Sequence, residues 1–89
     1  VTWQVLVDGR ARKELESLDE SVYLRVKKAI LKLGEEPRPK GTKKIKGFGE
    51  DTWRIRVGDY RVLYRIDDRI KAVIVSAIKH RREVYRKHH

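Results

Sequence analysis

In the segment WRIRVGDYRVLYRI, residues 53–66, apolar side chains recur at every second position: Trp53, Ile55 and Val57, then Tyr60, Val62, Tyr64 and Ile66. A period of two places them on one face of a half-buried ribbon. Gly58 and Asp59 interrupt the pattern as a two-residue turn with glycine first. The register that follows pairs Val57 with Tyr60, Arg56 with Arg61, Ile55 with Val62 and Arg54 with Leu63. The opening TWQVLV alternates Trp3, Val5 and Val7 against Thr2, Gln4 and Leu6, which predicts a short strand. KIKGF, residues 44–48, reads as a weak strand, and IKAVIVSAI, residues 70–78, as a strongly apolar strand for the middle of a sheet.

Between the first strand and the hairpin the period changes to that of a helix. Asp8 can cap a helix in which Ala11, Leu15 and Leu18 recur at helical spacing. Asp19 or Ser21 caps a second, with Val22, Val26, Ile30 and Leu33 as its apolar stripe and Gly34 and Pro37 as its stop. The short link at residues 17–20 makes the two helices an antiparallel pair. EEPRPKGTKK, residues 35–44, is a basic loop, and KHRREVYRKHH, residues 79–89, a basic turn or short helix. The predicted fold class is α+β: a single domain over residues 1–89, with an N-terminal strand and helix pair packed on one face of a small, mainly antiparallel sheet. The Trp53, Ile55, Val57, Val62 and Tyr64 face suits the helices, which leaves the other face toward solvent or a ligand.

Composition narrows the classes. A chain of 89 residues builds one modest core, and no cysteine is present for a disulfide, a thiolate metal site or a cysteine nucleophile. No apolar run reaches the ~18 residues of a membrane helix, and no signal peptide opens the chain, so no membrane partner is expected and the expected compartment is the cytoplasm. Residues 1–35 hold 7 Lys and Arg against 6 Asp and Glu, whereas residues 36–89 hold 16 against 7. Nearly all of the formal charge of +10 therefore lies in the second part, as expected of a surface that attracts polyanions.

That surface includes the second face of the hairpin, with Arg54, Arg56, Arg61 and Arg65. Like charges set across a sheet are destabilising. Arg56 faces Arg61, with Arg54 two residues along, so three guanidinium groups can converge on one phosphate-sized anion that relieves the repulsion. The planar fork of arginine donates two parallel hydrogen bonds to such a group and stays charged at physiological pH. The bland alternative is that each arginine splays into water. In either case this register shows no role for Arg61 in stabilising the fold, so Arg61→Ala is expected to keep or slightly raise thermal stability.

KIKGFGEDTWRIRVGDYRVLYRI followed by HRREVY resembles the RelE branch of the RelE/ParE superfamily of toxin–antitoxin toxins. The likeness covers nearly the whole chain, and the combined pattern is specific for the superfamily. It is less specific for activity, since RNA-cleaving and gyrase-inhibiting members share one fold. On the RelE side the resemblance implies cleavage of messenger RNA in the ribosomal A site, by attack of a 2′-hydroxyl on the adjacent phosphate. It maps the family's hairpin basic residues onto Arg54 and Arg56, its hairpin arginine onto Arg61, its late arginine onto Arg81 and its tyrosine onto Tyr85. Arg61 and Arg81 would hold the phosphate and steady the transition state. Tyr85 would stack on a base or orient the reacting sugar, its bland alternative being an aromatic anchor on the sheet. Arg54, Arg56, Arg65, Lys44, Lys46, Lys79 and Arg82 are the expected RNA-binding residues.

One position departs from the family. RelE toxins carry a lysine assigned to proton abstraction where this chain has Arg54, and an arginine with a pKa above ~12 is no general base near neutrality. Histidine titrates in the right range, which makes His80 the candidate acceptor. Lys44, Lys46 or Lys79, or alignment and charge stabilisation alone, are the alternatives. His88 and His89 are assigned no role. No metal cluster and no cofactor are expected. The partners implied by the resemblance are a small acidic RelB-like antitoxin, the ribosome with its mRNA, and operator DNA bound by the toxin–antitoxin complex. The reading from another class is a non-catalytic toxin of the same fold, a gyrase inhibitor, or a basic RNA-binding module.

Overall fold

A computed structural model of the chain describes residues 2–46 and 51–86, with side chains described as far as Glu83. The elements run β1 (Gln4–Val7), α1 (Gly9–Glu16), α2 (Glu20–Leu33), β2 (Lys43–Ile45), β3 (Thr52–Val57), β4 (Tyr60–Asp67), β5 (Ala72–His80) and α3 (Arg81–Arg86). The sheet order is β1-β5-β4-β3-β2. β1 runs parallel to β5 and every other pairing is antiparallel, so the mainly antiparallel α+β architecture is the one observed. β5 is interior, as its apolar sequence predicts. It begins two residues later than the apolar run because Asp67 draws Ile70 into a turn, its carboxylate accepting the N–H groups of Arg69 at 3.0 Å and Ile70 at 3.2 Å. Residues 47 and 48 of the expected weak strand lie outside the described residues. No described helix is long and apolar enough to cross a membrane.

The helices form where the caps and stripes predict. Asp8 Oδ1 accepts the Ala11 N–H at 2.9 Å, which satisfies one of the donors left over in the first turn of α1. Asp19 stands at the N-cap of α2, although its side chain makes no capping bond. Val26, Ile30 and Leu33 bury the stripe of α2 against Ile55, Val62, Tyr64, Val73, Val75 and Ile78 of the sheet. Such burial stabilises the fold by about 1.5–3 kcal/mol for each large apolar side chain. Gly34 ends the helix for a reason the sequence does not reveal. Its φ of −68° suits any residue, but a Cβ there would lie 3.0 Å from Val5 Cγ2 and 3.2 Å from the Trp3 carbonyl oxygen. Glycine lets β1 pass close enough for the Trp3 N–H to donate to Gly34 O at 2.6 Å.

Tyr64 fastens the basic loop to the sheet. Its ring is fully buried, and its hydroxyl donates to Pro37 O at 2.8 Å while sharing a 2.8 Å bond with Thr42 Oγ1. With its one proton committed to Pro37, the hydroxyl accepts from Thr42. Burial pushes the Tyr64 pKa up, against smaller opposing effects from the Thr42 bond and the Arg38 charge.

Two features alter what the hairpin presents. The expected register holds, with Arg56 opposite Arg61 and Arg54 opposite Leu63. The arginine face, however, is not open to solvent along its length. Arg54 is only 7% exposed, Arg61 5% and Leu63 between them in the ladder 1%. The sheet is covered on both sides there. The second feature is a bulge between β4 and β5. Leu63 pairs with Ala77 and Tyr64 with Val75, so Ser76 is the extra residue, its hydroxyl donating to Leu63 O at 3.3 Å. Beyond the bulge the faces of β5 exchange, and Ile78 joins Val73 and Val75 in the core.

Candidate nucleic-acid interface at the hairpin

The β3–β4 turn is made by Gly58, with φ of 60°, and Asp59. Arg61 closes this turn from inside the fold. Its Nη1 donates to Tyr60 O at 2.9 Å and to Gly58 O at 3.1 Å, while its Nε is buried with no hydrogen-bond partner among the described residues. Arg56, directly opposite in the ladder, is exposed. Arg81, the first residue of α3, meets the same turn: its N–H donates to Asp59 O at 2.8 Å and its Nε lies 3.9 Å from Asp59 Oδ1. Both side chains of that ion pair are more than half exposed, so the contact is weak and leaves the Arg81 guanidinium open to a stronger anion. Arg56, Arg61 and Arg81 are thus brought together at one turn, from three different elements.

Arg54 lies inward of this group, its Nη1 donating to Gly41 O at 3.3 Å. Lys43 stands in register beside it, at the start of β2. The sequence reading missed Lys43 because it began the strand at Lys44 and assigned it no register; alternation puts the residue after Lys43 on the other face. Lys44 consequently sits on the helix side of the sheet, 5.9 Å from the centre of the Trp53 ring and 2.9 Å from Asp51 Oδ1. Lys46 is exposed just beyond β2.

The other expected residues are dispersed. Arg65 lies four residues along β4 from Arg61, about 14 Å at the rise of a strand. There it borders a depression with Asp51, Asp67 and Asp68. Lys79 faces Arg61 in the ladder, but its ammonium is held by the Glu14 carboxylate, which also accepts the Ile78 N–H at 2.9 Å. His80 pairs with Tyr60, and their rings meet edge to face at 5.5 Å. The bulge therefore carries His80 to the face opposite Arg61, although it remains at the same end of the sheet. Its Nδ1 accepts the Arg82 N–H at 3.3 Å, and the Arg82 side chain is exposed. Tyr85 belongs to α3, and its side chain, like His88 and His89, lies outside the described residues. Among the described residues no three His, Asp or Glu side chains group as metal ligands.

The arrangement is suited to gripping a phosphodiester: the Arg61 guanidinium is anchored in the turn, and the exposed Arg56 and Arg81 stand beside it, with Asp59 in the turn itself. Comparison with known proteins agrees with the fold and the motif together. The family described as the ParE toxin of type II toxin–antitoxin systems matches residues 5–85. Toxin RelG of Mycobacterium tuberculosis is 35% identical over 78 residues, covering 86% of this chain and 88% of RelG. Putative toxin RelE1 of Methanocaldococcus jannaschii is 33% identical over 89 residues, covering 94% and 96%. The archaeal RelE–RelB complex from Pyrococcus horikoshii contains a chain that superposes with a TM-score of 0.79 at 32% identity, covering 91% of this chain and 97% of that one. The chain belongs to the RelE/ParE superfamily of type II toxin–antitoxin toxins, and it is RelE-like.

Proposed function

We propose that this toxin is a metal-independent endoribonuclease that cleaves mRNA on the ribosome and thereby stops translation. The observation that carries the reading is the meeting of Arg56, Arg61 and Arg81 at the Gly58–Asp59 turn. In-line attack by a 2′-hydroxyl on the adjacent phosphate needs alignment and neutralisation of the charge that builds on the phosphoryl oxygens. Arg81 and Arg56 reach that charge from solvent. Arg61 makes both turn bonds through Nη1 and keeps Nη2 for an anion. Arg54 and Lys43 extend the positive surface along the sheet, and Tyr85 in α3 stacks on a base or orients the sugar.

His80 is the proton acceptor in this reading. Its free nitrogen is Nε2, so accepting there requires Nδ1 to carry the other proton and release the Arg82 amide, at about 0.5–1.5 kcal/mol for one hydrogen bond. Lys79 is the less suitable substitute because its ammonium is engaged by Glu14. The partner is a RelB-like acidic antitoxin, supported by the RelE–RelB complex among the structural neighbours and by the charge of +10. The toxin–antitoxin complex would bind operator DNA.

A second reading, a non-catalytic gyrase inhibitor, is favoured by the ParE family match and by Arg54 in place of the family lysine. Primer extension on translated transcripts after induction separates the two. Breaks within codons together with arrested protein synthesis are expected. Intact transcripts accompanied by loss of gyrase supercoiling would overturn the nuclease reading in favour of the second.

A further inference from the structure

Arg25 stands on α2, which the sequence presents as a packing helix. Its neighbours one turn away are Ser21, Val22, Lys28 and Ala29, so no acidic side chain is placed to pair with it along the helix. Among the described residues it makes no hydrogen bond or ion pair. Ala29, one turn further along, faces Ile55 and Arg56 across a groove of about 250 Å³. Arg25 is set over the next part of the same hairpin, the turn itself. A Cβ on Gly58 would fall 3.1 Å from Arg25 Nη2 and 3.5 Å from Nη1. Glycine at this position thus serves twice, allowing φ of 60° and leaving space for a guanidinium group.

We propose that Arg25 is a further phosphate-contacting residue, delivered by α2 to the tip of the hairpin through the space that Gly58 leaves. This rests on the reading of the hairpin as an RNA contact and adds a fourth arm to it. Arg25 covers Gly58 on one side while Arg61 Nη1 holds the Gly58 carbonyl, and Arg81 meets the adjoining Asp59. Arg25, Arg61 and Arg81, from α2, β4 and α3, meet a turn of two residues, and Arg56 of β3 stands beside it opposite Arg61. A phosphodiester chain carries a charge at every nucleotide, so several forks around one turn each find a phosphate of their own. Arginine, with its planar paired donors, suits that contact better than lysine.

The test is the salt dependence of binding between the full chain and a fluorescently labelled single-stranded RNA oligonucleotide, followed by anisotropy between about 50 and 200 mM salt. Arg25→Ala should weaken binding and lower the slope of log affinity against log salt by about 0.7, the loss of one phosphate contact on a single strand. Lys27→Ala removes the same charge from the same helix, where Lys27 lies over the Tyr23 ring, and should leave the slope unchanged. Arg25→Lys should restore much of the slope. Arg25 is exposed, so melting temperatures of these variants should match that of the parent. Equal slopes for Arg25→Ala and Lys27→Ala, with a reduced slope for Arg56→Ala, would overturn the role of Arg25 and leave the hairpin reading intact. A slope unchanged even in Arg56→Ala would overturn both.

Discussion

Arg61→Ala removes a side chain that faces Arg56 across the ladder and bonds the hairpin turn from inside the fold. From register alone it removes one of two facing like charges and should do no harm to the fold. In the structure the side chain is 5% exposed and its Nη1 bonds two carbonyls of the turn. Hydrogen bonds from a charged donor contribute about 1.5–3 kcal/mol each, so roughly 3–6 kcal/mol is lost before offsets. One offset is relief of the buried Nε, whose unmet hydrogen bond costs about 1–3 kcal/mol. The other is relief of repulsion with Arg56, up to about 1 kcal/mol for a cross-strand pair. The balance is a destabilisation of about 2 kcal/mol, which in a domain of this size lowers the melting temperature by about 8–16 °C. Thermal melts followed by circular dichroism measure it directly. Cleavage assayed well below both melting temperatures then separates loss of the phosphate contact from loss of the fold, and activity should still be abolished. A variant that melts at or above the parent temperature would refute the structural role and restore the simpler reading of the ladder.

Other substitutions probe the remaining inferences. Tyr64→Phe leaves Pro37 O and Thr42 Oγ1 without their shared partner and should cost about 1–2 kcal/mol by urea denaturation. Because burial raises the Tyr64 pKa, its contribution is present below about pH 10, where tyrosine in an unfolded chain titrates, and is lost as pH rises toward the folded value. The stability gap between parent and Tyr64→Phe should therefore narrow above that pH, and a constant gap would contradict the linkage. His80→Ala should slow single-turnover cleavage about 10²-fold or more if the imidazole accepts the proton. An unchanged rate in the variant would assign proton transfer to a lysine or leave the reaction to alignment by the arginines. Gly34→Ala should destabilise by about 1–3 kcal/mol through overpacking against Val5 and the Trp3 carbonyl, despite the improved helix propensity. A neutral or higher melting temperature would show that β1 yields easily.

The elements of this protein are local properties and were legible as such. Alternation along residues 53–66, a glycine-first turn and two apolar stripes at helical spacing depend only on near neighbours, so they determine the hairpin, its register and the helix pair. The register groups Arg54, Arg56 and Arg61, and the family resemblance adds Arg81; the structure keeps Arg56, Arg61 and Arg81 at the turn and sets Arg54 inward of them. What the sequence could not determine arises where separate elements meet. Burial of Arg61 depends on cover over the second sheet face, and the open appearance of an alternating arginine pattern says nothing of that cover. The position of His80 depends on Ser76, an extra residue that exists only relative to β4. Were Ser76 paired with Leu63 in an unbroken ladder, Arg61 would pair with Ile78, and His80 would stand on the arginine face. Arg25 belongs to a helix 33 residues before Gly58 in the chain, and only the crossing of α2 over the sheet brings the two together. Periodicity reports which side of its own element a residue occupies; packing between elements decides what waits on that side.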